Sequence, residues 1–284
     1  MLGSDLVVEL ANRGHEVFAP SLEELDITEP SSVAELALDD RGIAWCINCA
    51  AYTAVDKAET EREQAASVNT LGASFLARSC AMARIKLLHI STDFVFDGEA
   101  SEPYTEDAHT NPQGYYGLTK RDGEDAVRSA LPTSVIVRTS WLYGPNGPSF
   151  PRTMIRAWEA GKTLKVVADQ TGNPTYTGDL ARVLVDMVEA DVFPGIYHAT
   201  GPESMTWHDL AVKTIELWEG RKPSPRSVEI EAIPTEAYPT PAKRPKYSVL
   251  SNGKLAAAGV RPMRPVVEAL AEFIERGTNI DGWV

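Results

Sequence analysis

No stretch of the 284 residues is apolar over the roughly 20 positions that a membrane-spanning helix requires. The opening Met1-Leu2-Gly3-Ser4-Asp5 has no basic start and no apolar core behind it, so no signal peptide is expected. Cysteine is scarce. Three in a chain this long exclude a disulfide-stapled fold and point to a reducing, cytoplasmic setting. Positive charge is short as well: 27 Lys and Arg stand against 40 Asp and Glu, a net charge of -13, with no basic run. That balance excludes a nucleic-acid surface, and an anionic ligand would need local cations to hold it.

Cys46-Ile47-Asn48-Cys49 spells a C-x-x-C but lies at the end of an apolar run that reads as a strand. Positions three apart on a strand face opposite ways, a poor geometry for a disulfide. No second cysteine pair or H-x-x-x-H completes a zinc site, so these cysteines read as structural and no metal ligand set is assigned.

What is present is an alternation of apolar runs and helical patterns. A helix capped by Ser4 or Asp5 closes at Gly14. Strands are expected at 16–19, 43–48, 86–91 and 134–138, and helices at 33–38, 61–83 and 116–130. Apolar strands alternating with helices predict a doubly wound parallel (Rossmann-type) α/β sheet covered on both faces. Beyond Arg138 the texture changes, with helices at 150–160, 179–188, 206–218 and 266–276, a strand near 195–199 and a proline-rich loop or lid at 234–245. The division expected is a dinucleotide-binding domain over 1–142 and 176–199, and a smaller α/β substrate domain over 143–175 and 200–284.

A Rossmann-type sheet opens on a strand and a glycine-rich turn. Here only Gly3 of such a turn precedes the first helix, so we expect the first strand and most of the turn to lie upstream of the given start. The strand at 16–19 ends in Pro20-Ser21, without a carboxylate for an NAD ribose 2′-hydroxyl, which favours NADPH with NADH as the alternative.

Ligands of such sheets bind beyond the strands' carboxyl ends. Three polar clusters fall there: Asn48 to Tyr52, Ser91-Thr92-Asp93, and Thr139-Ser140-Trp141. Tyr116 and Lys120 are one helical turn apart on one face, where an ammonium beside a phenol favours the phenolate. With Thr92 they make a hydroxyl–phenol–ammonium set suited to a carbonyl gaining negative charge.

With these motifs the chain resembles the dTDP-4-dehydrorhamnose reductase family of extended short-chain dehydrogenases/reductases. The resembling pieces are Asn48 through Glu59, Ser91-Thr92-Asp93-Phe94-Val95-Phe96, Tyr116-Gly117-Leu118-Thr119-Lys120, Arg138 through Tyr143, Asp169 through Thr175, Trp207-His208-Asp209 and Arg244-Pro245. The resemblance implies that Tyr116 donates a proton, Lys120 holds the nicotinamide ribose and lowers the tyrosine pKa, and Thr92 binds the substrate carbonyl. It places Asp93 and Trp141 against the sugar nucleotide, and Gly3, Asp26, Ile27, Ala50, Ala51 and Tyr52 along the cofactor. For Asp26 a turn-capping role, for Trp141 a core role and for Asp56 and Lys57 a local ion pair stay open. Asp5 stands where some members carry an acidic metal ligand, so Mg2+ is allowed by the resemblance, but a first-turn carboxylate in water is the expectation. The implied activity is NADPH-dependent reduction of a dTDP-sugar ketone for surface polysaccharide, by a monomer or a homodimer. The alternatives are another sugar-nucleotide reductase or epimerase, or a non-catalytic regulatory protein on the same fold.

Overall fold

The computed structural model describes residues 1–36, 42–280 and 282–283. Helix α1 (Leu2–Asn12) stops just before Gly14, whose φ of +83° an L side chain rarely adopts. Helix α2 (Pro30–Ala34) begins on a proline, whose missing N–H is one of the unpaired groups of a first turn. Strand β1 (Trp45–Asn48) follows, then a continuous helical stretch of α3 (Arg62–Ala66), a π-helical turn at Ser67–Gly72 and α4 (Ala73–Ala83). Strand β2 (Lys86–Thr92), helix α5 (Tyr115–Ala130) and strand β3 (Val135–Thr139) complete the first part.

Next come β4 (Leu142–Tyr143), α6 (Phe150–Glu159), β5 (Leu164–Val167), β6 (Thr171–Gly172), β7 (Thr175–Tyr176), α7 (Thr177–Glu189) and β8 (Gly195–His198). The chain ends through β9 (Met205–Thr206), α8 (Trp207–Glu219), β10 (Ile230–Ile233), α9 (Gly253–Ala257) and α10 (Val266–Thr278). Helix α8 carries the expected Thr206 cap, reciprocated by Asp209 as a capping box.

The main sheet has the order β1-β2-β3-β8, all parallel. Alternate strand residues feed opposite faces. Leu88, Val135, Val137 and Tyr197 pack with α1 and α7 residues, whereas Leu87 and Ile136 pack with Ala73, Leu76 and Ala77 of α4. A separate apolar cluster joins α6, α8 and α10 around Ile155, Ile215, Leu270 and Phe273, with β5 and β10 paired in parallel beside it.

Two expectations need correction. Residues 16–19 are not a strand, since a strand exists through its ladder and the described sheets begin with β1. The helix expected at 33–38 sits earlier, at Pro30–Ala34, and residues 37 and 38 fall outside the described residues.

Candidate active site

Helix α5 is set against the carboxyl end of β2 by contacts that only glycine permits. A Cβ on Gly117 would stand 2.1 Å from the Phe94 carbonyl oxygen, and one on Gly123 2.2 Å from that of Asn69. The helix starts where the Glu59 carboxylate accepts the Tyr115 N–H at 2.7 Å. Tyr116 and Lys120 then share its buried face, 9% and 2% exposed.

Thr92, the last residue of β2, donates its hydroxyl to Asp93 Oδ1 at 2.9 Å and accepts the Phe94 N–H at 3.3 Å. Burial raises the Tyr116 phenol to about 12, with the neighbouring Thr92 hydroxyl pulling it down and the Asp93 charge pushing it up. Burial likewise lifts the Asp93 carboxyl to about 6, and its Oδ2 finds no hydrogen-bond partner among the described residues. Edge-on packing of Phe94 at 5.5 Å holds the Tyr116 ring.

The lysine differs from expectation. Lys120 Nζ donates to the Ile90 carbonyl at 2.7 Å and lies 3.4 Å from His89 Nε2. Burial lowers it to about 8, with Glu124 and Cys49 opposing. Its ammonium is therefore held from the strand behind it, and the phenol stands above its ordinary pKa rather than below it. The i, i+4 spacing puts the two side chains on one face but leaves the direction of the ammonium to whichever acceptor is nearest.

Sequence reasoning missed the frame around this set. Glu124 takes Arg138 Nε at 2.9 Å and Nη2 at 2.7 Å, with Ser91 on the same carboxylate, all of them buried. Asn69, in the π-helical turn, accepts the Tyr52 N–H at 2.9 Å and donates to Tyr52 O and Thr119 Oγ1. An arginine ending the apolar run Val135-Ile136-Val137 was a visible signal of a buried partner; for Asn69 and His89 there was none.

Beyond β1, burial pushes the Cys49 thiol up to about 12, with the Lys120 ammonium pulling the other way. Gly3, in the first turn of α1, would place a Cβ 3.8 Å from Cys49 Cβ. Ala50 is exposed, Ala51 and Tyr52 are half-buried, and Asn48 Oδ1 closes the turn on the Ala50 N–H at 3.0 Å. A helix N-terminus and a lysine flanking one strand end fit a diphosphate-bearing dinucleotide. Ile27 is buried against Gly72. Asp26 spends its carboxylate on its own turn, accepting Thr28 N at 2.9 Å and Oγ1 at 2.7 Å.

On the other side, Trp141 takes a φ of +48°, rare for a bulky residue, and stacks on Trp207 at 3.5 Å. Gly172 makes room for it, since a Cβ there would lie 2.4 Å from the indole. Asn173 is a buried hub that bonds Ser140, Gly201, Glu203 and Leu250. The proline-rich segment is tied at both ends, Asp169 holding Thr235 and Asp56 holding Arg244 at 2.8 Å. Asp56 thus pairs across the chain with Arg244, not locally with Lys57.

Asp5 is the largest departure. It is 3% exposed rather than in water, with Oδ1 on Arg276 at 2.6 Å and Oδ2 on Thr177 at 2.5 Å. A guanidinium fills the place of a cation, and the residues there do not fit a divalent metal ion.

A parallel sheet with threonine, tyrosine and lysine gathered at its carboxyl end defines a Rossmann-type oxidoreductase. The model of the family described as RmlD substrate binding domain matches residues 1–279, and the chain belongs to that family. It is 45% identical over 281 residues to a probable dTDP-4,6-dihydroxy-2-methyloxan-3-one 4-ketoreductase of Streptomyces antibioticus, covering 96% of this chain and 90% of that protein. It is 40% identical over 286 residues to the dTDP-4-dehydrorhamnose reductase of Mycolicibacterium smegmatis, covering 99% and 85%. Among solved structures, a dTDP-4-dehydrorhamnose reductase from Bacillus anthracis in complex with NADP superposes with a TM-score of 0.90 at 34% identity, covering 97% of this chain and 95% of that one.

Proposed function

We propose that the chain reduces the C4 ketone of dTDP-4-dehydro-L-rhamnose with NADPH, giving dTDP-L-rhamnose for surface polysaccharide. The observation that carries this is the convergence of Thr92, Tyr116 and Lys120 at the end of β2, in a chain 40% identical to a reductase of that name. Residues 1–142 and 176–199 would carry the dinucleotide, and residues 143–175 and 200–284 the sugar nucleotide. Gly3, Ala50, Ala51 and Tyr52, with Asp26 and Ile27 further out, would line the cofactor, which supplies the hydride.

The chain's own part is to orient the ketone and supply its proton. A phenol lifted to about 12 keeps its proton at neutral pH, the state an acid needs. Tyr116 gives that proton to the carbonyl oxygen, Thr92 turns its hydroxyl from Asp93 Oδ1 to donate a hydrogen bond to the same oxygen, and the Lys120 ammonium offsets the developing charge. Asp93 and Trp141 border the sugar. The family relationship and the three unpaired cysteines support a cytoplasmic enzyme.

Tyr116→Phe removes the acid and leaves the ring. Turnover, followed as NADPH oxidation, should fall about 10²–10⁴-fold, with NADPH binding retained. Near-normal turnover would overturn the assignment. A second reading, reduction of a different dTDP-4-ketohexulose, is favoured by the 45% identity to a 4-ketoreductase of another sugar. Comparing kcat/KM on the two ketosugars separates them.

A further inference from the structure

Behind Lys120 stands a buried side chain that the proposed reaction leaves unused. His89 lies on β2, 1% exposed and in register with Asn48 on β1. Because Asn48 Oδ1 accepts the Ala50 N–H, its Nδ2 is turned to His89 Nδ1 at 3.0 Å. A ring nitrogen that accepts carries no hydrogen, and burial holds this imidazole well below its ordinary pKa. The neutral ring therefore carries its hydrogen on Nε2, which faces Lys120 Nζ at 3.4 Å. An N–H aimed at that nitrogen meets a lone pair on the amine but only hydrogens on the ammonium. With Lys120 as the amine the donors run one way, from Ala50 N–H through Asn48 and His89 to Lys120, each polarising the next.

We propose that His89 is a positioning residue that fixes the Lys120 side chain and lowers the pH at which it gives up its proton. This rests on the role given to Lys120 above. The other groups facing Lys120 are Glu124, one turn along α5 and itself held by Ser91 and Arg138, and the Cys49 thiol beyond β1. Glu124 favours the ammonium, so His89 and Glu124 pull its proton equilibrium in opposite directions. Since the donor chain begins at Ala50, it also ties the lysine's proton to the conformation of that turn.

Two measurements test this. In the intact protein labelled with 15N-histidine, two buried rings resist titration, His89 and His198. His198 Nδ1 faces the Tyr104 carbonyl, which can only accept, so that ring must be the Nδ1–H tautomer. Two-bond correlation spectra at pH 7 should show one ring of each tautomer. Two Nδ1–H rings, or an imidazolium at His89, would overturn the proposal while leaving the reductase reading intact. The second is the pH profile of kcat/KM in His89→Leu. Its alkaline limb should move up by about 0.5–1 pH unit, the size of one net hydrogen bond to the amine form. A limb that stays or moves down refutes the tuning. Failure of the Tyr116→Phe test alone would sink the reductase reading and leave the tautomer result standing.

Discussion

Truncating Arg276 to alanine strips the cation from a carboxylate that has no access to water. Asp5 is 3% exposed, and its Oδ1 takes Arg276 at 2.6 Å and Asn146 at 3.3 Å. Thr177 donates to Oδ2, so two neutral donors remain after truncation. Removing one partner of a buried pair costs about 3–5 kcal/mol. The Arg276 side chain is 35% exposed, so water enters the vacated space and brings the expectation to about 2–3 kcal/mol. Asp5→Asn leaves the cation half in water and keeps an acceptor for Thr177, which should cost about 1 kcal/mol. Arg276→Ala added to Asp5→Asn should then cost only about 1 kcal/mol, for the hydrogen bond Arg276 gives Tyr176.

Urea midpoints of the wild type, both single variants and the double variant give the cycle, and Arg276→Ala should lower Tm by about 4–6 °C in a chain this long. Mg2+ or EDTA should leave the wild-type Tm unchanged, because the guanidinium already occupies the carboxylate. Equal costs for the two single variants, or a coupling within about 0.5 kcal/mol of zero, would refute the reasoning. So would a metal-dependent Tm.

Asp93→Asn tests the buried carboxyl. Its folded pKa of about 6 lies above the ordinary 3.8, so the folded state holds the proton more tightly and stability falls as pH rises from about 4 to 6. The variant should gain on the order of 2–3 kcal/mol at pH 7 and little at pH 4, while losing activity; no gain at pH 7 removes the argument. Gly123→Ala puts a Cβ 2.2 Å from Asn69 O. The backbone must separate there, so the substitution should cost about 1–3 kcal/mol and reduce turnover by displacing Lys120; a fully active, equally stable variant would show that the contact does not set α5.

The parallel sheet and the Tyr116–Lys120 face were legible because both depend on short-range periodicity: apolar runs at β2 and β3, and a four-residue spacing on α5. Thr92 was legible from its place at a strand end. What could not be read depends on partners far along the chain. Asp5 is buried by residues 172 and 271 positions away, and Asp56 finds Arg244 across 188. Residues 16–19 have the composition of a strand, yet composition supplies no ladder. His89 sits in an apolar run where a histidine reads as filler, and its contact with Lys120 exists only once β1, β2 and α5 are assembled.

The π-helical turn at Ser67–Gly72 is in effect an insertion that the helix has swallowed. Each residue turns an α-helix by about 100°, so one surplus residue rotates the face of α3 relative to α4 by that amount. The two halves can then obey different surroundings, α4 keeping its apolar side on the sheet while Asn69 swings round to Tyr52 and Thr119. A single-residue deletion there, harmless to helix length, would turn the amide away from the loop it holds. The reading frame of this helix, more than its composition, keeps the Tyr52 loop beside α5.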